Sequence, residues 1–234
     1  MCGRVLLATP VAELQRLFGF PELPNLSPRY NIAPTQDIAT VRADETGRHL
    51  ALLRWGLVPH WADDPSIGNR MINARGETVA EKPAFRNALK HRRALILIDG
   101  FYEWQAAADG GKRKQPYVIR RRDRRPMALA ALWERWKGPK GGPPLETPLE
   151  TVTIVTTTAN ATLFPLHDRM PVIVDEADWD AWLNPETPAS VAETLIRPAP
   201  DDRLDAVPVG PRVGNVRNDD EACIAPLHEQ PTLF

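Results

Sequence analysis

The chain has 234 residues, of which 43% are hydrophobic and 25% charged, with two cysteines and a net charge of -1. That apolar content supports a core, and the near-zero charge excludes a disordered polyelectrolyte. Two cysteines at opposite ends exclude a disulfide framework, no apolar run of about 18 residues suggests a membrane span, and the first residues lack a leader pattern, so a soluble cytoplasmic protein is expected.

Thr9 and Pro10 open the first expected helix, over 11–18, with Thr9 as cap and Pro10 in the first helical position. Val11, Leu14, Leu17 and Phe18 then share one face. A proline-rich loop follows over 21–34. β-Branched and aromatic runs predict strands at 38–41, 50–55, 94–98, 101–104, 117–119, 127–133, 152–158 and 172–174. Asp99-Gly100 reads as a tight hairpin turn between two of them. Helices are expected over 82–91, 175–183 and 190–196, and an exposed loop over 138–148. Strands dominate and helices scatter, which argues an α+β fold, taken as a single domain over 1–234.

Segment 112–125 holds eight basic residues and one acidic. It reads as a phosphate-contacting ribbon or, preferably, as a solvated hairpin around Tyr117, Val118 and Ile119. His49, His91 and His228 read as surface or packing histidines.

Cys2 is the most informative position. If Met1 is removed, Cys2 carries a thiol and a free α-amine on adjacent carbons. The amine titrates near pKa ~7.7–8.0 and is substantially neutral at physiological pH. An aldehyde condenses with such an amine to an imine, and the thiol closes a five-membered thiazolidine. The plain alternative is an incidental small residue. A zinc site is not expected, because Cys223 is the only other cysteine and no C-x-x-C exists; no cofactor is expected either.

Other polar residues stand where a plain fold would not need them. Glu103, among Phe101, Tyr102 and Trp104, suits a carboxyl of raised pKa working as acid or base. Otherwise it is a solvent-facing residue sharing its face with Phe101. His167 at a loop-to-strand junction suits proton transfer, or a structural loop histidine. Asn73 and Arg75 offer an amide and a guanidinium, or simply a polar strand end.

Together these pieces resemble the SOS-response-associated peptidase (SRAP) family, which shields abasic sites in DNA. The matching segments, in order, are Met-Cys-Gly-Arg at 1–4, Tyr-Asn-Ile-Ala-Pro-Thr at 30–35, and Arg-Trp-Gly-Leu-Val-Pro at 54–59 with Trp61. Next come Ile-Asn-Ala-Arg-Gly-Glu-Thr at 72–78, Phe-Arg at 85–86, Asp-Gly-Phe-Tyr-Glu-Trp at 99–104 and Ala-Leu-Trp-Glu at 131–134. Thr-Thr-Thr-Ala-Asn at 156–160, His-Asp-Arg-Met-Pro at 167–171 and Val-Gly-Asn at 213–215 complete the set. Each is weak alone; ten in order are specific.

The resemblance implies an α+β fold with a strongly bent, barrel-like mixed sheet and peripheral short helices. It implies binding of single-stranded DNA and covalent trapping of an abasic sugar, with self-removal of Met1 and, if elimination wins, lyase chemistry. Carried over by residue, Cys2 is the nucleophile, Asn73 holds its amine, Glu103 is acid and base, and His167 assists proton transfer. Arg4, Arg75 and Arg169 are expected phosphate clamps, and Trp61 and Trp104 apolar surfaces near bases. Implied partners are single-stranded DNA with abasic sites and replication-fork proteins, with a monomer sufficing, no membrane, and a nucleoid-associated location in a bacterium. His60 and the longer stretch from Trp61 to Asn73 depart from the family pattern. Two rivals are a class-II glutamine amidotransferase, which also begins Met-Cys-Gly, and a non-covalent single-stranded nucleic-acid-binding module.

Overall fold

The computed structural model describes residues 2–106 and 114–227. The chain opens with β1 (Val5–Leu7), wholly buried, then α1 (Val11–Phe18), whose Leu14 and Phe18 face the core. Helix α1 ends at Gly19, which at φ 72° returns its N–H to the Gln15 carbonyl. Thr9 does not cap this helix. Its hydroxyl and N–H instead donate to the Asp99 carboxylate at 2.7 and 2.8 Å, and Pro10 occupies the cap.

Strands β2 (Arg29–Ile32), β3 (Asp37–Asp44), β4 (Gly47–Trp55) and β5 (Asn73–Arg75) precede α2 (Arg86–His91). Then come β6 (Arg93–Ile98), β7 (Gly100–Gln105), β8 (Gln115–Arg121), β9 (Met127–Trp136), β10 (Leu149–Thr158) and β11 (Arg169–Pro171). Helices α3 (Trp179–Leu183) and α4 (Ala189–Thr194) and strand β12 (Leu204–Pro208) complete the chain.

Two layers result, one mixed and one antiparallel. Strands β4, β3, β6 and β9 are antiparallel neighbours, and β10 bridges the two ends by pairing antiparallel with β9 and parallel with β4. The sheet therefore closes on itself, removing free edges. The second sheet runs β12-β8-β7-β1-β2, all antiparallel. The main core joins them through side chains such as Leu95, Leu97, Phe101 and Ile154. This is an α+β architecture with a barrel-like mixed sheet and short helices. Among the described residues no helix is long and apolar enough to cross a membrane.

Three sequence expectations need correction. Asp99-Gly100 is not a hairpin turn, because β6 and β7 belong to different sheets. The Asp99 carboxylate anchors the residues after β1, and Gly100 lets two strands approach. A Cβ there would meet the Ile119 carbonyl oxygen and Arg120 Cγ, each at 2.8 Å. The last expected strand, 172–174, is displaced to β11, and Ile173 makes only an isolated bridge to Leu129. The basic segment is not a solvated hairpin. Its β8 lies between β7 and β12 with Val118 and Ile119 buried, and Arg121, Arg124 and Arg125 pair with Asp123, Asp205 and Glu176. Its Lys112 and Arg113, like His228, lie outside the described residues. His49 bonds Glu22 at 2.9 Å, pinning the proline-rich loop to β4.

Candidate active site

Cys2 lies just before β1, and β1 is fixed by β7 through the pairs Val5–Phe101 and Leu6–Gly100. The Tyr102 N–H donates to the Arg4 carbonyl at 2.9 Å, extending the pairing back toward Cys2. Alternation along β7 sends Phe101 and Glu103 inward and Tyr102 and Trp104 to the other face. Glu103 is thus not solvent-facing but only 4% exposed. Burial pushes its carboxyl above the usual range, opposed in part by nearby His167.

The Cys2 side chain is wholly buried in the main core. Burial, and then the negative charge of Glu103, push its thiol up, while the Arg4 backbone N–H pulls it back. The thiol therefore keeps its proton unless a base is at hand. Cys223 is likewise free and buried, but packs in a separate cluster with Tyr102 and Val213. Among the described residues no three metal-ligating side chains gather.

Asn73 opens β5 and is held in register opposite Ile154 of β10. Its Nδ2 donates to the Cys2 carbonyl oxygen at 2.8 Å. Its Oδ1 is buried and accepts no hydrogen bond among the described residues. An amide in that state lacks an N–H donor.

His167 ends the turn over 161–166. Its Nδ1 accepts the Arg169 N–H at 2.9 Å, which leaves the neutral ring its proton on Nε2. The Asp168 carboxylate stands 2.8 Å from the same Nδ1 and suits the protonated ring. His167 lines an open cleft of about 620 Å³ with Arg75, Glu77, Thr78, Asp168 and Arg169.

The three arginines differ in what holds them. Arg75 is exposed and has no ion pair among the described residues. Arg169 is gripped by both oxygens of Glu77, at 2.6 and 2.9 Å, and by the Thr156 carbonyl at 2.8 Å. Arg4 Nη1 donates to Asn31 Oδ1 and the Val213 carbonyl, each at 2.7 Å, and its guanidinium covers Trp104. Arg4 thereby ties the N-terminal strand to the segment around Val213. The structure brings together Cys2, Asn73 and Glu103, with His167, Arg75 and Arg169 on the cleft beside them. Trp61 and Trp104 are not among the residues lining that cleft.

Two residues inside the motif segments carry more than the sequence reading assigned. Buried Asn31 holds Arg4 and bonds the carbonyls of Val213, Asn215 and Asn218. Glu77 fixes Arg169. Their only sequence signal was a polar residue within a motif, since apart from Arg4 their partners lie about ninety or more positions away.

The SOS response associated peptidase (SRAP) family model matches residues 1–216. The chain is 39% identical over 222 residues to abasic site processing protein YoqW of Bacillus subtilis (strain 168), covering 93% of this chain and 96% of that protein. It is 32% identical to abasic site processing protein HMCES of Gallus gallus, over 97% of this chain and 78% of the other. A solved protein structure from Bacteroides thetaiotaomicron superposes with a TM-score of 0.85 at 22% identity, covering 97% of this chain and all of that one, so the two share a fold. With the family model spanning nearly the whole chain and 39% identity to a relative matched over its length, the chain belongs to the SOS response associated peptidase family.

Proposed function

We propose that this protein processes abasic sites in single-stranded DNA by capturing the sugar aldehyde covalently on Cys2. The observation that carries the reading is the grouping of Cys2 with Asn73, which bonds its carbonyl, and with buried Glu103, whose charge acts on its thiol, near a polar cleft. The names of the relatives, abasic site processing proteins, support it.

Hydrolysis of the Met1–Cys2 peptide bond consumes one water and frees the Cys2 α-amine. Asn73 Oδ1 then accepts an N–H of that amine and aims its lone pair. The abasic sugar is mostly a closed hemiacetal; the protonated Glu103 carboxyl donates to the ring oxygen while the anomeric hydroxyl releases its proton to solvent, which opens the ring to the aldehyde. The amine adds to the aldehyde carbon, and one water leaves to give the imine. Glu103, now ionised, takes the proton of the buried thiol, and sulfur adds to the imine carbon while solvent supplies the proton to nitrogen. The product is a thiazolidine, and capture by the mature chain releases one water. If the imine instead loses the proton next to it and expels the 3′ phosphate, the strand breaks and the outcome is lyase chemistry. His167, with Nε2–H available, serves proton transfer at the sugar. Arg75 holds a phosphate of the lesion strand.

A denaturing gel tests this. Wild type is incubated with single-stranded DNA carrying one abasic site, beside intact DNA and Cys2→Ala. A heat-stable shifted band that needs both the lesion and Cys2 supports capture. Binding without a band, with Met1 absent by mass spectrometry, leaves a non-covalent module; strand cleavage without a band leaves a lyase.

A further inference from the structure

Phe164 is 69% exposed, more than any other large apolar side chain among the described residues. A solitary exposed apolar residue is ordinary on a protein surface, so exposure alone assigns nothing. What distinguishes Phe164 is how its backbone is held. Buried Asn160 accepts the Leu163 N–H on Oδ1 at 3.1 Å and donates from Nδ2 to the Ala199 carbonyl at 3.0 Å. The Phe164 N–H itself reaches the Asn160 carbonyl at 2.9 Å. Asp201 accepts the Ala161 N–H at 2.7 Å, and its carbonyl accepts the Thr162 hydroxyl at 2.8 Å. Leu163 is wholly buried beneath the turn. The backbone is fixed from below while the ring is displayed to solvent.

The same turn delivers His167, whose N–H donates to the Leu163 carbonyl at 3.0 Å. It is also tied to the strand of Glu103, because Gln105 Nε2 donates to the Pro165 carbonyl at 3.4 Å and Tyr117 steadies Gln105 at 3.1 Å. Phe164 therefore shares its turn with His167 and adjoins Pro165, which Gln105 at the end of β7 contacts. The aromatic residues that the sequence offered for stacking are less exposed. Arg4 covers Trp104, with Tyr102 packed beside it, and Trp61 is 42% exposed; Trp61 and Phe164 are alike in not lining the cleft.

We propose that Phe164 is a stacking platform for the nucleobase next to the lesion in bound single-stranded DNA, an assignment that rests on the function proposed above. A solvent-facing ring carried on a fixed turn can stack on any base, and stacking tolerates sequence because every base presents a π-face.

The test uses single-stranded DNA containing a tetrahydrofuran analogue of the abasic site, which has no aldehyde and so reports binding alone. Fluorescence anisotropy compares wild type, Phe164→Ala and Phe164→Trp. The alanine variant is expected to bind about 5- to 150-fold more weakly, since base–aromatic stacking is worth ~1–3 kcal/mol and 1.4 kcal/mol is tenfold. The tryptophan variant is expected to bind at least as well as wild type. Replacing the flanking nucleotide on one side by a second tetrahydrofuran should erase the difference between wild type and Phe164→Ala; the same replacement on the other side should not. The assignment is overturned if wild type binds and Phe164→Ala lies within about twofold of it, or if the loss is the same with and without both flanking bases. If wild type itself does not bind such DNA, the functional reading falls, and the assignment with it.

Discussion

The side-chain amide of Asn73 donates to the main-chain carbonyl of Cys2 at 2.8 Å, so a residue of β5 fixes the residue that precedes β1. The link joins the closed sheet to the second sheet at Cys2, the proposed nucleophile. Asn73→Ala should lower stability by about 1 kcal/mol, the usual worth of one hydrogen bond. It should slow capture far more than stability falls, because the amine loses its orienting acceptor. Single-turnover band formation and a urea titration, run side by side, separate the two effects.

Glu103 gives a pH signature. Its carboxyl titrates above the usual range because it is buried. The native state then holds a proton that the unfolded chain has released, so this group's contribution is fully present below about pH 4.3, the unfolded value, and is lost as pH rises through the raised native value. Glu103→Gln should flatten that part of the stability–pH curve and slow ring closure. Melting temperatures across pH 4 to 8 decide it: parallel curves for the two proteins would contradict the buried-carboxyl account.

Arg75 is the exposed cation of the cleft. Arg75→Ala should weaken binding of single-stranded DNA and reduce the slope of log K against log salt by about 0.7, the value of one phosphate contact. An unchanged slope would remove Arg75 from the phosphate path.

The Glu77–Arg169 pair works in the opposite pH direction from Glu103. The hydrogen bonds from Arg169 hold the Glu77 carboxyl below its ordinary value, so its contribution is present above the unfolded pKa and is lost as pH falls through the depressed one. Glu77 is half exposed, so solvent screening keeps the pair near or below about 1 kcal/mol. Glu77→Gln should therefore leave the melting temperature nearly unchanged at neutral pH. It should still lower the capture rate, because Arg169 supports His167 through its backbone N–H.

Gly100→Ala should cost about 1–3 kcal/mol, the range of an overpacked core. The new methyl would sit 2.8 Å from the Ile119 carbonyl oxygen, which is backbone and cannot step aside. A urea midpoint close to wild type would mean that β7 and β8 can part locally.

What could be read in the sequence depended on range. Helix α1 was legible because its apolar spacing and Pro10 are local signals. The role of Asp99 was not, since its partners Ala8 and Thr9 lie some ninety residues earlier and only the fold brings them close. Strands β1, β5 and β11 are three residues each, too short for alternation to register. Cys2, Asn73 and Glu103 were legible as chemistry, from residue type and motif, and the fold places them together. The engagement of Arg4 was not legible, because a free and a bonded guanidinium read alike until Asn31 and Val213 are seen beside it. The inward face of Glu103 turned on which side of β7 is covered, a question that alternation poses and only the second layer answers.

Strand β10 meets β5 on one edge and β11 on the other, and Thr156 pairs with both Arg75 and Pro171. The two walls of the cleft are thus second neighbours in one hydrogen-bonded ladder, separated by two strand spacings, roughly 9.6 Å. Its gauge is set by peptide groups, with the Arg169–Glu77 pair as a side-chain tie across it. Parting β5 from β11 would break main-chain bonds, so the floor of the cleft keeps a constant calibre, and the amides of β10 around Thr156 should be among the slowest in the molecule to exchange with solvent.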